Sequence, residues 1–162
     1  TRMPARMHSQ YLRRLYLDNQ LAERRFLVED RPVALSDIRV PMFVVGTEKD
    51  HVSPWRSVYK IIALTETEVT FALANGGHNA GIVSEPGHAK RHYRLYTTGA
   101  NDPWMPPEDW EEVAVRHEGS WWEAWNDWLK ARSRGTVQPR TIPSEAVLEA
   151  APGRYVHECY PD

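Results

Sequence analysis

Asp50 and His78 each follow a short apolar run and stand 28 residues apart. A carboxylate and an imidazole on neighbouring loops are the acid and base of a nucleophile–His–Asp triad. The histidine takes a proton from the nucleophile, while the carboxylate holds the ring in one tautomer and stabilises its charged form. The acid precedes the histidine, which is the chain order of the α/β-hydrolase arrangement, where the nucleophile comes first in a G-x-S-x-G or G-x-C-x-G elbow. No such elbow occurs in these 162 residues. Gly76-Gly77 ahead of His78 supplies a tight, mobile backbone for a histidine that faces a pocket. The alternative for both residues is ordinary turn chemistry after a strand.

Other groups carry weaker signals. His51 adjoins the acid and is either a supporting group at the pocket or an exposed histidine. His88 and His92 have the i, i+4 spacing of a helical metal pair, but no HExxH pattern or third ligand accompanies them, so a solvated pair is the default. Cys159, the one cysteine, has no glycine elbow and lies near the end of the chain. A single cysteine excludes an internal disulfide and suits a reducing, cytoplasmic setting.

The elements that must position Asp50 and His78 are legible around them. Met42-Phe43-Val44-Val45 is apolar on both faces, as in a strand inside a parallel sheet covered by helices. Gly46 to Asp50 is its polar exit. Pro54 starts a helix with Ser53 as N-cap, and Val58, Ile61, Ile62 and Leu64 give it a buried face. A second strand, Val69-Thr70-Phe71-Ala72-Leu73, runs into Asn75-Gly76-Gly77-His78. Strand, helix, strand implies a right-handed crossover between parallel neighbours. Sites in such sheets form at the carboxyl ends of strands, where both residues lie.

Upstream, Gln10 to Ala22 has helical spacing, with Arg13 and Arg14 on its outer side. Phe26-Leu27-Val28 and Val33-Ala34-Leu35 are predicted as two short strands about a turn. Downstream, Arg91 to Thr97 is a short strand, and Pro107 to His117 and Ser120 to Arg132 are helices. Trp121, Trp125 and Trp128 fall at i, i+4 and i+7 of the last one. Together with Trp122 they form either an apolar surface for a polymer or partner, or a helix face packed on the sheet, which is favoured. Residues 1–132 are therefore taken as the C-terminal part of a catalytic α/β domain. Residues 133–162, with Gly135, Pro139 and Pro143, are taken as linker and partly ordered tail.

Composition excludes several classes. Twenty basic against 22 acidic residues give a net charge of −2 with no basic stripe, which argues against nucleic acid as a partner. No apolar run reaches the roughly 20 residues of a membrane span. Thr1-Arg2-Met3-Pro4 is no signal peptide and no initiation site, so the chain reads as a truncated or processed piece.

Five blocks, in order, resemble polyhydroxyalkanoate synthases. Tyr11-Leu12-Arg13-Arg14-Leu15-Tyr16-Leu17-Asp18-Asn19 is similar to their YLRxxYLxN stretch, and Asp50-His51-Val52-Ser53-Pro54-Trp55 to DHxxPW. Gly77-His78-Asn79-Ala80-Gly81 is similar to GHxAG. Gly119-Ser120-Trp121-Trp122 with Trp125-Asn126-Asp127-Trp128-Leu129 resembles GSWWxxWxxWL, and Ala151-Pro152-Gly153-Arg154-Tyr155-Val156 the closing APGRYV of class I members. The likeness runs from about Tyr11 to Val156.

The resemblance implies the C-terminal portion of an α/β-hydrolase fold with a Trp-rich helical end. It also implies a cytoplasmic acyltransferase at the polyester granule surface, polymerising short-chain (R)-3-hydroxyacyl-CoA with release of CoA. By it, Asp50 is the catalytic acid and His78 the general base. The nucleophile is a cysteine in a part of the enzyme outside this chain, and Cys159 is not that residue. No cofactor is implied, coenzyme A entering only as the thioester substrate. By the same likeness, Tyr11 to Asn19 belongs to a mobile region over the active site. The chain alone is expected to be inactive, and half of a hydrolase sheet leaves an edge strand through which two copies can pair. A related serine esterase or polyester depolymerase, or a non-catalytic polymer- or partner-binding module, are the rival readings.

Overall fold

The protein is described by a computed structural model covering residues 2–159. It divides into two units, Thr1–Ala131 and Arg132–Asp162. In the second unit the described residues are almost all exposed and form two short 3-10 turns, Ser144–Ala146 and Tyr155–His157. Positions 160–162 of the expected tail, and Thr1 of the expected start, lie outside the described residues.

The first unit centres on a four-stranded sheet. Its strands are β3 (Met42–Thr47), β4 (Val69–Ala74), β5 (His92–Thr98) and β6 (Val115–Glu118), in spatial order β3-β4-β5-β6. β3 and β4 are parallel, joined through the short helices α2 (Trp55–Tyr59) and α3 (Ile61–Leu64). β5 and β6 are antiparallel to their neighbours. The sheet is therefore mixed: the parallel step with crossover helices expected of the fold class is β3 to β4, and the strands after it run antiparallel. β4 is buried at every position, as the apolar run predicts, whereas β3 has a strand neighbour on one side only among the described residues.

Helices cover both faces, so each face of the sheet has its own apolar cluster. On one face Trp55 and Tyr59 of α2, and Trp110 and Ala114 from α4 (Pro107–Val113) and its end, pack on Phe71 and Leu73, with Val44 and Tyr96 beside them. Phe71 and Trp110 meet edge to face, with ring centroids 5.2 Å apart, a favoured aromatic geometry. On the other face α5 (Trp121–Ala131) lays Trp121 against Ala74 and Tyr93, next to Phe43 and Val45. Phe43 lies 6.2 Å from the Trp121 ring and 5.8 Å from that of Trp128. The tryptophans on the inner side of α5 are thus part of a packed helix face.

Several boundaries move from where the sequence places them. The helix predicted over Pro107 to His117 ends at Val113, because Ala114 turns extended (φ −68°, ψ 122°) and the chain pairs with β5 instead. Arg94 of β5 donates from Nη1 to the carbonyls of Glu111 and Ala114, at 3.1 and 3.2 Å. A cation is thereby placed on a last-turn carbonyl of the helix and on the carbonyl just beyond its end. Near the start, the predicted helix over Gln10 to Ala22 is α1 (Ala5–Tyr11) continued by a π-helical segment, Leu12–Leu17. Arg13 and Arg14 do lie at its exposed or half-exposed surface. The small hairpin pairs β1 (Phe26–Val28) with β2 (Arg31–Val33), so its second strand comes two residues earlier than expected.

Candidate active site

Parallel pairing of β3 with β4 sets Thr47 opposite Ala74, so both strands end at one level. Three residues beyond Thr47 comes Asp50, and four beyond Ala74 comes His78. Two backbone bonds extend the register past the strands: Glu48 N–H donates to Ala74 O (3.0 Å) and Lys49 N–H to Gly76 O (2.9 Å). The acid loop and the histidine loop are therefore tied to each other before either side chain is placed.

Asp50 is held by its own turn. Its Oδ1 accepts the backbone N–H groups of Val52 and Ser53, both at 2.8 Å. The residue predicted to cap the next helix, Ser53, makes no side-chain cap; Pro54 precedes α2, and Asp50 takes the free amides instead. Asp50 Oδ2 faces His78 Nδ1 at 2.9 Å. The Asp50 side chain is 8% exposed and that of His78 46%, so the acid lies beneath and the imidazole opens outward. The Ser53 amide above all, opposed by burial and reinforced by His78 and the Val52 amide, lowers the Asp50 carboxyl from 3.8 to about 2. An ionised carboxylate only accepts, so Nδ1 carries the hydrogen of the pair and Nε2 of the neutral ring is left as a base.

His78 rides on one helix-like turn, closed by Gly81 N–H donating to Gly77 O at 2.9 Å. Gly76 has φ +113°, and a Cβ on it would lie 3.0 Å from the backbone of Gly81. A Cβ on Gly81 would come within 2.4 Å of the Thr47 methyl carbon. These glycines serve positive φ and close approach. They let the turn close tightly against the end of β3. Asn75 adds a further tie: its side chain accepts from His92 N–H (3.1 Å) and donates to Lys90 O (2.9 Å). Residue type alone singles out neither Thr47 nor Asn75, since a threonine ending a strand and an asparagine before Gly-Gly are commonplace.

The remaining singled-out residues disperse. His51 is exposed. His88 lies in a loop with Nδ1 2.9 Å from Glu85 Oε1, while His92 begins β5 with Nε2 3.7 Å from Glu48 Oε1. No helix joins them, and among the described residues no group of three or more His, Cys, Asp or Glu is placed to hold a metal. Cys159 is exposed, in the second unit. Trp122 and Trp125 turn partly outward and line a shallow apolar groove with Pro86 and Leu129. No helix among the described residues is long and apolar enough to cross a membrane.

No family model matches the chain. Curated proteins do. The poly(3-hydroxyalkanoate) polymerase of Methylorubrum extorquens is 39% identical over 159 residues, covering 96% of this chain and 26% of that protein. Polymerase subunit PhaC of Rhizobium meliloti is 37% identical over 157 residues (96% and 25%), and that of Cupriavidus necator 34% over 165 (96% and 26%). The chain spans about a quarter of the length of these relatives. With the spaced sequence blocks and the acid–histidine pair at one end of a sheet, this makes the chain a relative, along nearly all of its length, of the C-terminal part of the poly(3-hydroxyalkanoate) polymerases.

Proposed function

We propose that this chain is the acid-and-base segment of a poly(3-hydroxyalkanoate) polymerase, built on the C-terminal part of an α/β-hydrolase fold. Asp50 is the catalytic acid and His78 the general base. The observation that carries the reading is the 2.9 Å approach of Asp50 Oδ2 to His78 Nδ1 on loops leaving adjacent parallel strands. In this reading His78 Nε2 removes the proton of a cysteine thiol contributed from outside this chain. The thiolate attacks the thioester carbon of a 3-hydroxyacyl-CoA, an acyl–enzyme bond forms as the bond to CoA sulfur breaks, and the proton on Nε2 passes to the departing CoA thiolate. Asp50 keeps the charged imidazolium in place between the two transfers. Substrate is a short-chain (R)-3-hydroxyacyl-CoA and product a polyester, made in the cytoplasm at a granule surface, with no cofactor.

The chain by itself is inactive in this reading, since it holds a base and an acid but no cysteine in a glycine elbow, Cys159 lying in the second unit. The test is CoA release from 3-hydroxybutyryl-CoA by the full-length protein carrying this chain, with His78→Gln. A general base contributes about 10²–10⁴-fold, so the variant should lose at least 100-fold. A rate near that of the parent would remove His78 from the chemistry. The residues encoded upstream decide the reaction class: a G-x-C-x-G elbow after a strand fits the polymerase, and G-x-S-x-G a hydrolase.

A further inference from the structure

The loop after His78 is gripped from outside the strand ends. Three side chains at the start of α5 donate to three of its backbone carbonyls. Trp121 Nε1–H donates to Gly81 O at 3.0 Å, Trp122 Nε1–H to Ile82 O at 2.9 Å, and Ser120 Oγ–H to Ser84 O. Ser120 also accepts the Trp122 N–H at 3.0 Å, so one hydroxyl caps α5 and holds the loop at once. Ser120 is 1% exposed and Trp121 8%. Opposite Trp121, the Cα of Gly81 rests against the Thr47 side chain with no room for a further carbon. The loop is thus pinned between the end of β3 and the first turn of α5. Those carbonyls belong to residues 81–84, within six positions of His78, and they lie outside regular structure, where no ladder supplies them with donors.

We propose that Ser120, Trp121 and Trp122 are positioning residues that hold the loop carrying His78 so that its imidazole stays in register with Asp50. They act through His78 and do not touch the reacting atoms. The indole of Trp122 is then a hydrogen-bond donor first and an apolar surface second. The proposal rests on the reading of His78 as the base for its meaning in catalysis, but the clamp is measurable without turnover.

The test compares Trp121→Phe/Trp122→Phe with Trp125→Phe in the full-length protein carrying this chain. Each change keeps an aromatic ring, and Trp125, 41% exposed, packs on the Trp121 ring at 5.9 Å but gives the loop no hydrogen bond, so its change tests ring packing without the donor. Two readouts by mass spectrometry serve: backbone amide exchange of residues 79–84, and the pH profile of C2-hydrogen exchange at His78. Loss of two net hydrogen bonds should speed exchange of the loop about tenfold or more. It should also move the His78 profile, with peptides from β3 and β4 and the Trp125→Phe protein unchanged. A folded double variant with parental loop protection and an unmoved His78 profile overturns the proposal. If the double variant does not fold, Trp122→Phe decides by the same two readouts, because that ring is only half-buried. Should His78→Gln leave CoA release intact while the exchange results hold, the clamp stands and the catalytic reading falls.

Discussion

At the level of single residues, what matters is that Asp50 is charged before it meets His78. Two backbone amides from its own turn hold the carboxylate, and the imidazole is the third partner. The folded carboxyl titrates at about 2 against an ordinary 3.8. Between those values the unfolded chain binds more protons than the folded one, so stability is present above about pH 4 and is lost as pH falls toward 2. Asp50→Asn should flatten that part of the acid limb, seen in denaturant midpoints from about pH 5 to about pH 2.5; an unchanged limb would mean the turn does not hold the charge. The pairing of Asp50 with His78 was legible in the sequence because one strand–helix–strand step brings successive strand ends together. The grip of Ser120, Trp121 and Trp122 on residues 81–84 was not. Those partners are 36 to 40 residues apart, and nothing in an indole says whether its N–H will face a carbonyl or water.

At the level of elements, apolar runs foretold β3 and β4, and the tryptophan spacing foretold the packing of Trp121 and Trp128 on Phe43, but not that Trp125 between them turns outward. The parallel sense of β3 and β4 was foretold by the helices between them, whereas the reversed direction of β5 was not. Tyr93, Leu95 and their neighbours look the same whether the strand runs up or down, because side-chain alternation has period two in either sense. The end of α4 was hidden for a different reason. Val113, Ala114 and Val115 suit helix or strand, and the choice is made by Arg94, which reaches across from β5 to the carbonyls of Glu111 and Ala114. Arg94→Met should therefore cost about 2–3 kcal/mol, the scale of hydrogen bonds to a charged donor, read from equilibrium unfolding. A loss below about 0.5 kcal/mol, the floor for one net hydrogen bond, would mean α4 ends there without its help. Arg56, by contrast, pairs with Glu108 and Glu111 in the open, where such bridges contribute little.

On the scale of the whole molecule, the mixed sheet has two unlike margins. β6 is exposed along its length and carries Arg116, His117 and Glu118, a charged flank that resists strand addition. β3 brings Met42, Phe43, Val44 and Val45 to a margin with a strand on one side only among the described residues. The 162-residue chain alone should accordingly self-associate as concentration rises, as sedimentation velocity would show; a clean monomer at high concentration would mean the β3 margin is already protected. β6 is thus a finished border and β3 a seam. Anything stitched on in parallel along Met42–Thr47 would end at the same rim as the acid and the imidazole, so the direction in which this sheet can lengthen is also the direction from which a third reactive group can arrive.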